Sequence, residues 1–421
     1  MTISTKQNSL SMRAMLRVSV NAWLIVLLAC SGLWAQNRPA GKKISAGKIT
    51  APFLQYAKSY EETPYVTKVV LKNGMTVLVN EFRAHPVVSI QAHVRAGILD
   101  EPADRPGVAS LLAAMLCRGL PDTVKGTRRQ NIQLLGGSMK CEAYWERTEL
   151  EIVASSSQWK RALNILIEAL SNPCLQEQEI KLEAALTAGK LRELAESPFE
   201  FALARLLGLG FDQPPLNRWR SSDSEPFGRI MTSDLEAFYR AAFSPENILL
   251  IISGDVSSGE ALNELVKIYK PLKSSGVKLK RLTLQSRQES FRYAALEGNI
   301  PYPYLLFGFH VDSDNLADSA AIQVLNAILG VGEGSVLAMR LRDQRKVVLA
   351  ASTHIIQWPG LSYLVVELQV RPEDIDRSEI ALFTEMELLK RQEPSEADMA
   401  RALAQMELSF WSHLETVSAR A

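Results

Sequence analysis

Five histidines, four cysteines and one glycine-rich turn have the greatest chemical reach in this chain. The histidines are His85, His93, His310, His354 and His413. No two stand three or four positions apart, so no pair shares a helical face on which to grip a metal. Cys30, Cys117, Cys141 and Cys174 make no C-x-x-C and no zinc-ribbon spacing. The last three read as core thiols; one disulfide among them is the alternative, and spacing does not say which two would pair. No Gly-x-Ser-x-Gly elbow is present. "GVGEGS" (330–335) has the glycines of a phosphate loop but follows a helical run and lacks the Lys-Ser/Thr that would hold the phosphates. It reads as a connector between two helices. Two stretches remain: "GVASLLAAML" (107–116), a helix with Ser110 as its lone polar residue, and "LRDQRKVVL" (341–349), where Arg342 stands among Arg340 and Arg345.

Charge and composition exclude several partners. Lys+Arg is 47 and Asp+Glu 46, a net charge of +1 that gives no reason to expect nucleic acid. No cofactor is expected. Lys6, Arg13 and Arg17 precede the apolar run "VSVNAWLIVLLACSGLWA", too short to span a bilayer comfortably and followed by a small-residue cleavage site after Ala35. This is an export signal. "LLAC", ending at Cys30, is also similar to a bacterial lipoprotein site, which makes Cys30 a candidate for lipid attachment and membrane anchoring. Either route takes the mature chain out of the cytoplasm, to the periplasm of a Gram-negative bacterium.

The elements that must carry these residues follow from pattern. "VTKVVLKNGMTVLVNEF" (66–82) predicts a hairpin about Asn73-Gly74. "VVSIQAHVRAGI", "TELEIVAS" and "NILLIISGDV" predict strands. Helices are expected over 107–118, 158–170 and 176–196, the last stopped by Ser197-Pro198. The order recurs after residue 288: a strand at 304–311, helices, a strand at 361–370 and a final long helix. The expected fold is α+β, with two similar domains, each a mainly antiparallel sheet with helices packed on it. The boundaries read as a signal peptide over 1–35, a linker over 36–63, a first domain over 64–264, a linker over 265–288 and a second domain over 289–421. The second half stops just after its long helix. It reads either as shortened or as a sheet built with one strand fewer.

In sequence order, "LKNGMTVLVNE", "VRAGILDEPADRPGVASLLAAMLCRG", "LGGSMKCEAYWERTELEI" and "MTSDLEAFYRAAFSPENILLIISGDV" resemble the insulinase/pitrilysin family of zinc peptidases. That family carries H-x-x-E-H on a helix: two imidazoles one turn apart hold Zn²⁺ and the glutamate serves as general base. The resemblance places Ser110 and Ala114 at the histidines and Ala113 at the glutamate. It places Lys190 at the third ligand, with Glu183 at a second family glutamate on the same helix. Hydroxyl, methyl and ammonium groups stand where ligands and base are expected, so the resemblance implies a degenerate, metal-free site. Its second-domain pattern has an Arg and a Tyr that help hold the substrate carbonyl. Arg342 matches the Arg; Leu349 replaces the Tyr and Lys346 a glycine. Arg342 is therefore expected either to orient substrate or to be a solvent-facing arginine on a charged helix. The edge strand near Lys140-Cys141 lacks the family's Asn-Ala; ordinary sheet packing is its plainer role. The implied function is the non-catalytic subunit of a peptidase, closing a chamber around a peptide with a zinc-bearing partner. A stand-alone scaffold or peptide-binding protein is the alternative, and an active hydrolase with its site elsewhere is a third.

Overall fold

In a computed structural model, the structure describes residues 42–43, 52–119, 126–212, 216–218, 225–268, 288, 290–313, 315–358 and 360–421. The export signal, Cys30 and most of both expected linkers lie outside these residues. The chain divides into two compact units, one of residues 40–283 with 411–421, the other containing 284–410.

The first unit is built on one sheet. Its strands are β1 (Lys42–Lys43), β2 (Ala57–Glu62), β3 (Val66–Leu71), β4 (Thr76–Glu81), β5 (Val87–Val94), β6 (Ser138–Ala143), β7 (Thr148–Ser155) and β8 (Ile248–Gly254). They lie in the order β1-β2-β3-β4-β8-β5-β7-β6. The β4–β8 pair is parallel and the other pairs are antiparallel. The expected hairpin is β3–β4, with Gly74 at φ 96° in its turn, a conformation that favours glycine. One expectation needs correction. Residues 57–62 fall in the stretch read as linker, yet form β2 on the edge of β3, where Tyr60 packs on Phe53. A short strand of mostly polar residues, with Ala57 and Tyr60 its core contacts, leaves little periodic signal.

Alternation along β5 sets the two faces of this sheet. Val88, Ile90, Ala92 and Val94 are fully buried and meet the helices, while Ser89, Gln91 and His93 face the other way. The helices are α1 (Val108–Arg118), α2 (Arg128–Leu134), α3 (Trp159–Ser171), α4 (Glu177–Ala195), α5 (Pro198–Gly210), α6 (Glu225–Arg229), α7 (Thr232–Ala242) and α8 (Ser258–Ile268). α1 packs on β6 and β7, α3 on β5 and β7. The C-terminal α12 (Val417–Arg420) lies against β5 and β8. Gln91 Nε2 donates to the Ser418 carbonyl (2.7 Å) and Asn80 Nδ2 to that of Arg420 (3.2 Å).

The second unit has strands β9 (Tyr304–Ser313), β10 (Ala350–Trp358) and β11 (Gly360–Gln369), all antiparallel in the order β10-β11-β9. Its helices are α9 (Leu316–Gly330), α10 (Ile375–Arg391) and α11 (Glu396–His413), with a π-helical segment at Ala338–Gln344. Leu337, Leu341, Leu364, Val366 and Leu382 centre its core. β9, β11 and β10 repeat the arrangement of β5, β7 and β6. β5 has β8 as its second neighbour; among the described residues β9 has no strand in that place. No described helix is long and apolar enough to cross a membrane.

Candidate functional site: the α1–α4–β6 corner

Gly107, at φ 91°, starts α1, and a side chain there would run into the Phe227 ring. The half-buried Glu101 caps the helix: its carboxylate accepts from the backbone N–H of Gly107 (2.8 Å) and Ala109 (2.9 Å). Burial pushes the Glu101 carboxyl up to about 7, against the pull of the Gly107, Ala109 and Ser110 N–H groups. The apolar run of α1 is accounted for by packing. Val108, Ala109, Leu111, Leu112, Met115 and Leu116 are all buried in the core of the unit.

The sequence-derived positions are distributed unevenly here. Ser110 and Ala114 are half-buried, one turn apart on α1. Ala113 is 1% exposed. Lys190 is exposed on α4, and Glu183 is buried on the same helix, 9% exposed. An ion pair that the sequence does not announce adds to the packing of α1 against Ile180, Ala184 and Ala188 of α4. Arg118, one turn beyond Ala114, donates from Nη1 to Glu183 (3.3 Å) and from Nε to Glu179. These partners are 61 and 65 residues apart, and no local pattern marks them.

The cysteines correct a second expectation. Cys117 on α1 and Cys141 on β6 form a disulfide, with Cα atoms 5.8 Å apart, and among the described residues Cys174 is the one free cysteine. Two of the three expected core thiols are thus a cross-link. α1 packs directly against β6, which brings these two residues into register. Cys174 sits beside the fully buried Arg128, whose Nη2 reaches its sulfur (3.8 Å). α1 is therefore tied on one side by charge to α4 and on the other by sulfur to β6.

β6 is the last strand of the sheet, paired only with β7 among the described residues. Ser138, Lys140 and Glu142 project from its exposed face, where Lys140 Nζ meets Glu142 (2.6 Å) and the Tyr144 hydroxyl (3.3 Å). His93 lies on the opposite face from the α1 core, with Nε2 3.0 Å from Gln91 Oε1 and Nδ1 3.6 Å from Glu149; burial pushes its imidazole down. Among the described residues, no three His, Cys, Asp or Glu side chains gather as metal ligands would.

In the second unit, Arg342 is engaged by carboxylates. Nε and Nη2 fork onto Asp343 (2.7 and 3.0 Å) and Nη1 bonds Glu333, holding the guanidinium above its usual range. Its neighbours are not simply solvent-facing: Arg340 and Arg345 both reach the buried Glu385 of α10 at 2.6 Å. Lys346 has φ 54°, a left-handed conformation that favours the glycine it replaces. "GVGEGS" joins α9 to the π-helical segment, with Gly332 packed on Gln405.

Two units with recurring strand order, the first with a helix packed behind an edge strand, define a mixed α/β, two-domain peptidase-like protein. Residues 76–218 match the family model "Insulinase (Peptidase family M16)" and residues 229–406 match "Peptidase M16 inactive domain". The chain belongs to the insulinase family. It is 21% identical to the zinc protease PqqE of Helicobacter pylori over 379 residues, 88% of this chain and 84% of that protein. It is 20% identical over 389 residues to a probable mitochondrial-processing peptidase subunit beta of Arabidopsis thaliana, covering 87% and 72%. Among solved structures, a protease from Helicobacter pylori superposes with TM-score 0.73 at 20% identity, covering 85% and 87%. A peptidase M16 inactive domain from Pseudomonas fluorescens gives 0.69 at 21%, covering 84% and 85%. The periplasmic protease PqqL of Escherichia coli gives 0.66 at 15%, covering 86% of this chain and 41% of that one.

Proposed function

We propose that this chain is an exported, non-catalytic member of the insulinase family that forms a peptide-enclosing chamber with a zinc-bearing partner of the same family. The observation that carries the reading is Ala113. It stands at the position the resemblance gives to the general base, carries no group able to accept a proton, and is buried at 1% exposure. Ser110 and Ala114 replace the two imidazoles, and exposed Lys190 presents an ammonium in place of the third ligand. The pair Arg118–Glu183 takes over the joining of α1 to α4 that a shared metal would provide.

Pairing is favoured over a stand-alone scaffold by large apolar side chains left in solvent. Leu182 and Leu186 lie one turn apart on α4, and Phe291, Tyr293, Ile380 and Phe383 are exposed in the second unit. A relative that is one subunit of the mitochondrial processing peptidase supports a two-chain assembly. Export is supported by the leader and by the disulfide, which persists in oxidising compartments. A periplasmic structural relative agrees with it. Lipid attachment at Cys30 is the alternative to simple cleavage after Ala35.

Within the chamber this chain contributes wall, partner stability and the β6 edge, to which an extended peptide adds as a strand. Arg342 donates toward substrate only after leaving Asp343 and Glu333, and Leu349 gives it no help, so its contribution is small. The test is co-expression with a zinc-bearing family member encoded beside it. Cleavage of a fluorogenic peptide is expected to need both chains, and Arg342→Ala is expected to lower turnover about tenfold or less in an intact complex. No complex, together with full activity of the partner alone, would contradict the pairing.

A further inference from the structure

The Cys117–Cys141 cross-link joins the vacated motif helix to the strand at the open edge of the sheet. That strand's other attachments to the helices are few. β6 has one ladder, to β7, and Ser138, Lys140 and Glu142 face solvent. Of the residues facing α1, Met139 is buried at 5% exposure, while Cys141 and Ala143 are only partly covered. The disulfide thus fixes the strand against the helices together with Met139, whose carbonyl also accepts from Arg129 Nε of α2 (3.3 Å), and with the partly covered Ala143. Cys117 is buried in the core at 2% exposure and Cys141 is partly exposed, so the β6 side is the more open approach to the disulfide.

We propose that the Cys117–Cys141 disulfide is a redox latch on the β6 edge. Oxidised, it holds β6 flat against α1 and in register for pairing with an extended peptide. A dithiol reductant opens it: one thiolate attacks the Cys141 sulfur, the S–S bond breaks, and Cys117 leaves as a thiolate that takes up a proton. The second thiol of the reductant then displaces Cys141 from the mixed disulfide, which also takes up a proton. Two electrons and two protons pass to the protein, and the dithiol becomes a cyclic disulfide. β6 is then held by Met139, by the Arg129 hydrogen bond to its carbonyl and by one ladder, and frays as an edge strand does. The binding half of this inference rests on the reading of β6 as a peptide edge; the latch itself does not.

The experiment compares the full chain oxidised, the same chain reduced with dithiothreitol, and a Cys117→Ser/Cys141→Ser variant. All three carry Cys174→Ser to prevent exchange with the third thiol. Amide hydrogen exchange of 138–143 is expected to rise at least about tenfold on reduction and in the double variant, with β8 unchanged. Equal exchange in all three forms overturns the latch. Capture of carboxymethylated α-lactalbumin, a permanently unfolded chain with no disulfide of its own, is expected to fall several-fold on reduction. Faster exchange with equal capture by all forms would overturn the control of binding. Faster exchange with no capture by any form would leave the latch standing and refute the peptide-edge reading instead. The double variant keeps the test valid if reductant alters anything else, since it should match the reduced form.

Discussion

Removing Arg118 tests whether charge now joins α1 to α4. The side chains of Arg118, Glu183 and Glu179 are 21%, 11% and 39% exposed, between the surface and buried limits for an ion pair. Surface pairs contribute about 0–1 kcal/mol, and breaking a buried pair costs about 3–5 kcal/mol. Arg118→Ala leaves Glu183 buried without its cation, while Glu179 turns to water. The expected loss is therefore roughly 2 kcal/mol, most of it from Glu183. Replacing both partners with apolar groups, Arg118→Met with Glu183→Leu, removes the stranded charge and should recover at least about 1 kcal/mol of that loss. Amide exchange across 177–195 is the assay, since a local loss of roughly 2 kcal/mol speeds exchange about 30-fold where opening is local. A loss below about 0.5 kcal/mol in Arg118→Ala, or a double variant no better than the single one, would refute the pair as a brace.

Ala113→Glu, which places a carboxylate at the proposed general-base position, should cost about 3 kcal/mol or more, because it forces a charge into a buried site; thermal unfolding measures it, and a negligible cost would mean the site is open. Lys346→Gly should raise stability by about 0.5–1 kcal/mol by relieving the left-handed backbone, and a lower thermal midpoint would contradict this. Glu101 gives a pH signature. Its carboxyl is pushed up to about 7 in the fold, above the ordinary carboxylate value. Its contribution is thus full below that ordinary value and is lost as pH rises through about 7. Wild-type stability relative to Glu101→Gln should decline from pH 5 to pH 8, and a rise over that range would reverse the assignment.

Much of the architecture was legible because it is local. Asn73-Gly74 marks the β3–β4 turn, alternation marks β5 and β7, and the apolar run "NILLIISGDV" marks a strand buried in mid-sheet. The register at Ser110, Ala113, Ala114 and Lys190 comes from the family resemblance, which rests on the order of several segments rather than on any local spacing. What stayed hidden is what depends on long-range meeting. Cys117 and Cys141 lie 24 residues apart and pair because α1 crosses behind β6. Arg118 finds Glu179 and Glu183 only because α1 lies beside α4. β2 was missed because its mostly polar residues look like linker, and the π-helical turn at 338–344 because its composition is that of any helix. Residues 411–421 group with the first unit through hydrogen bonds from Gln91 and Asn80, and nothing in their own composition announces it.

The most direct test of a non-catalytic chain is its zinc content. The full chain, purified without chelator and measured by elemental mass spectrometry alongside a peptide-cleavage assay, is expected to carry far less than one zinc per chain and to cleave nothing. One tightly bound zinc per chain, with cleavage that a chelator abolishes, would contradict the account.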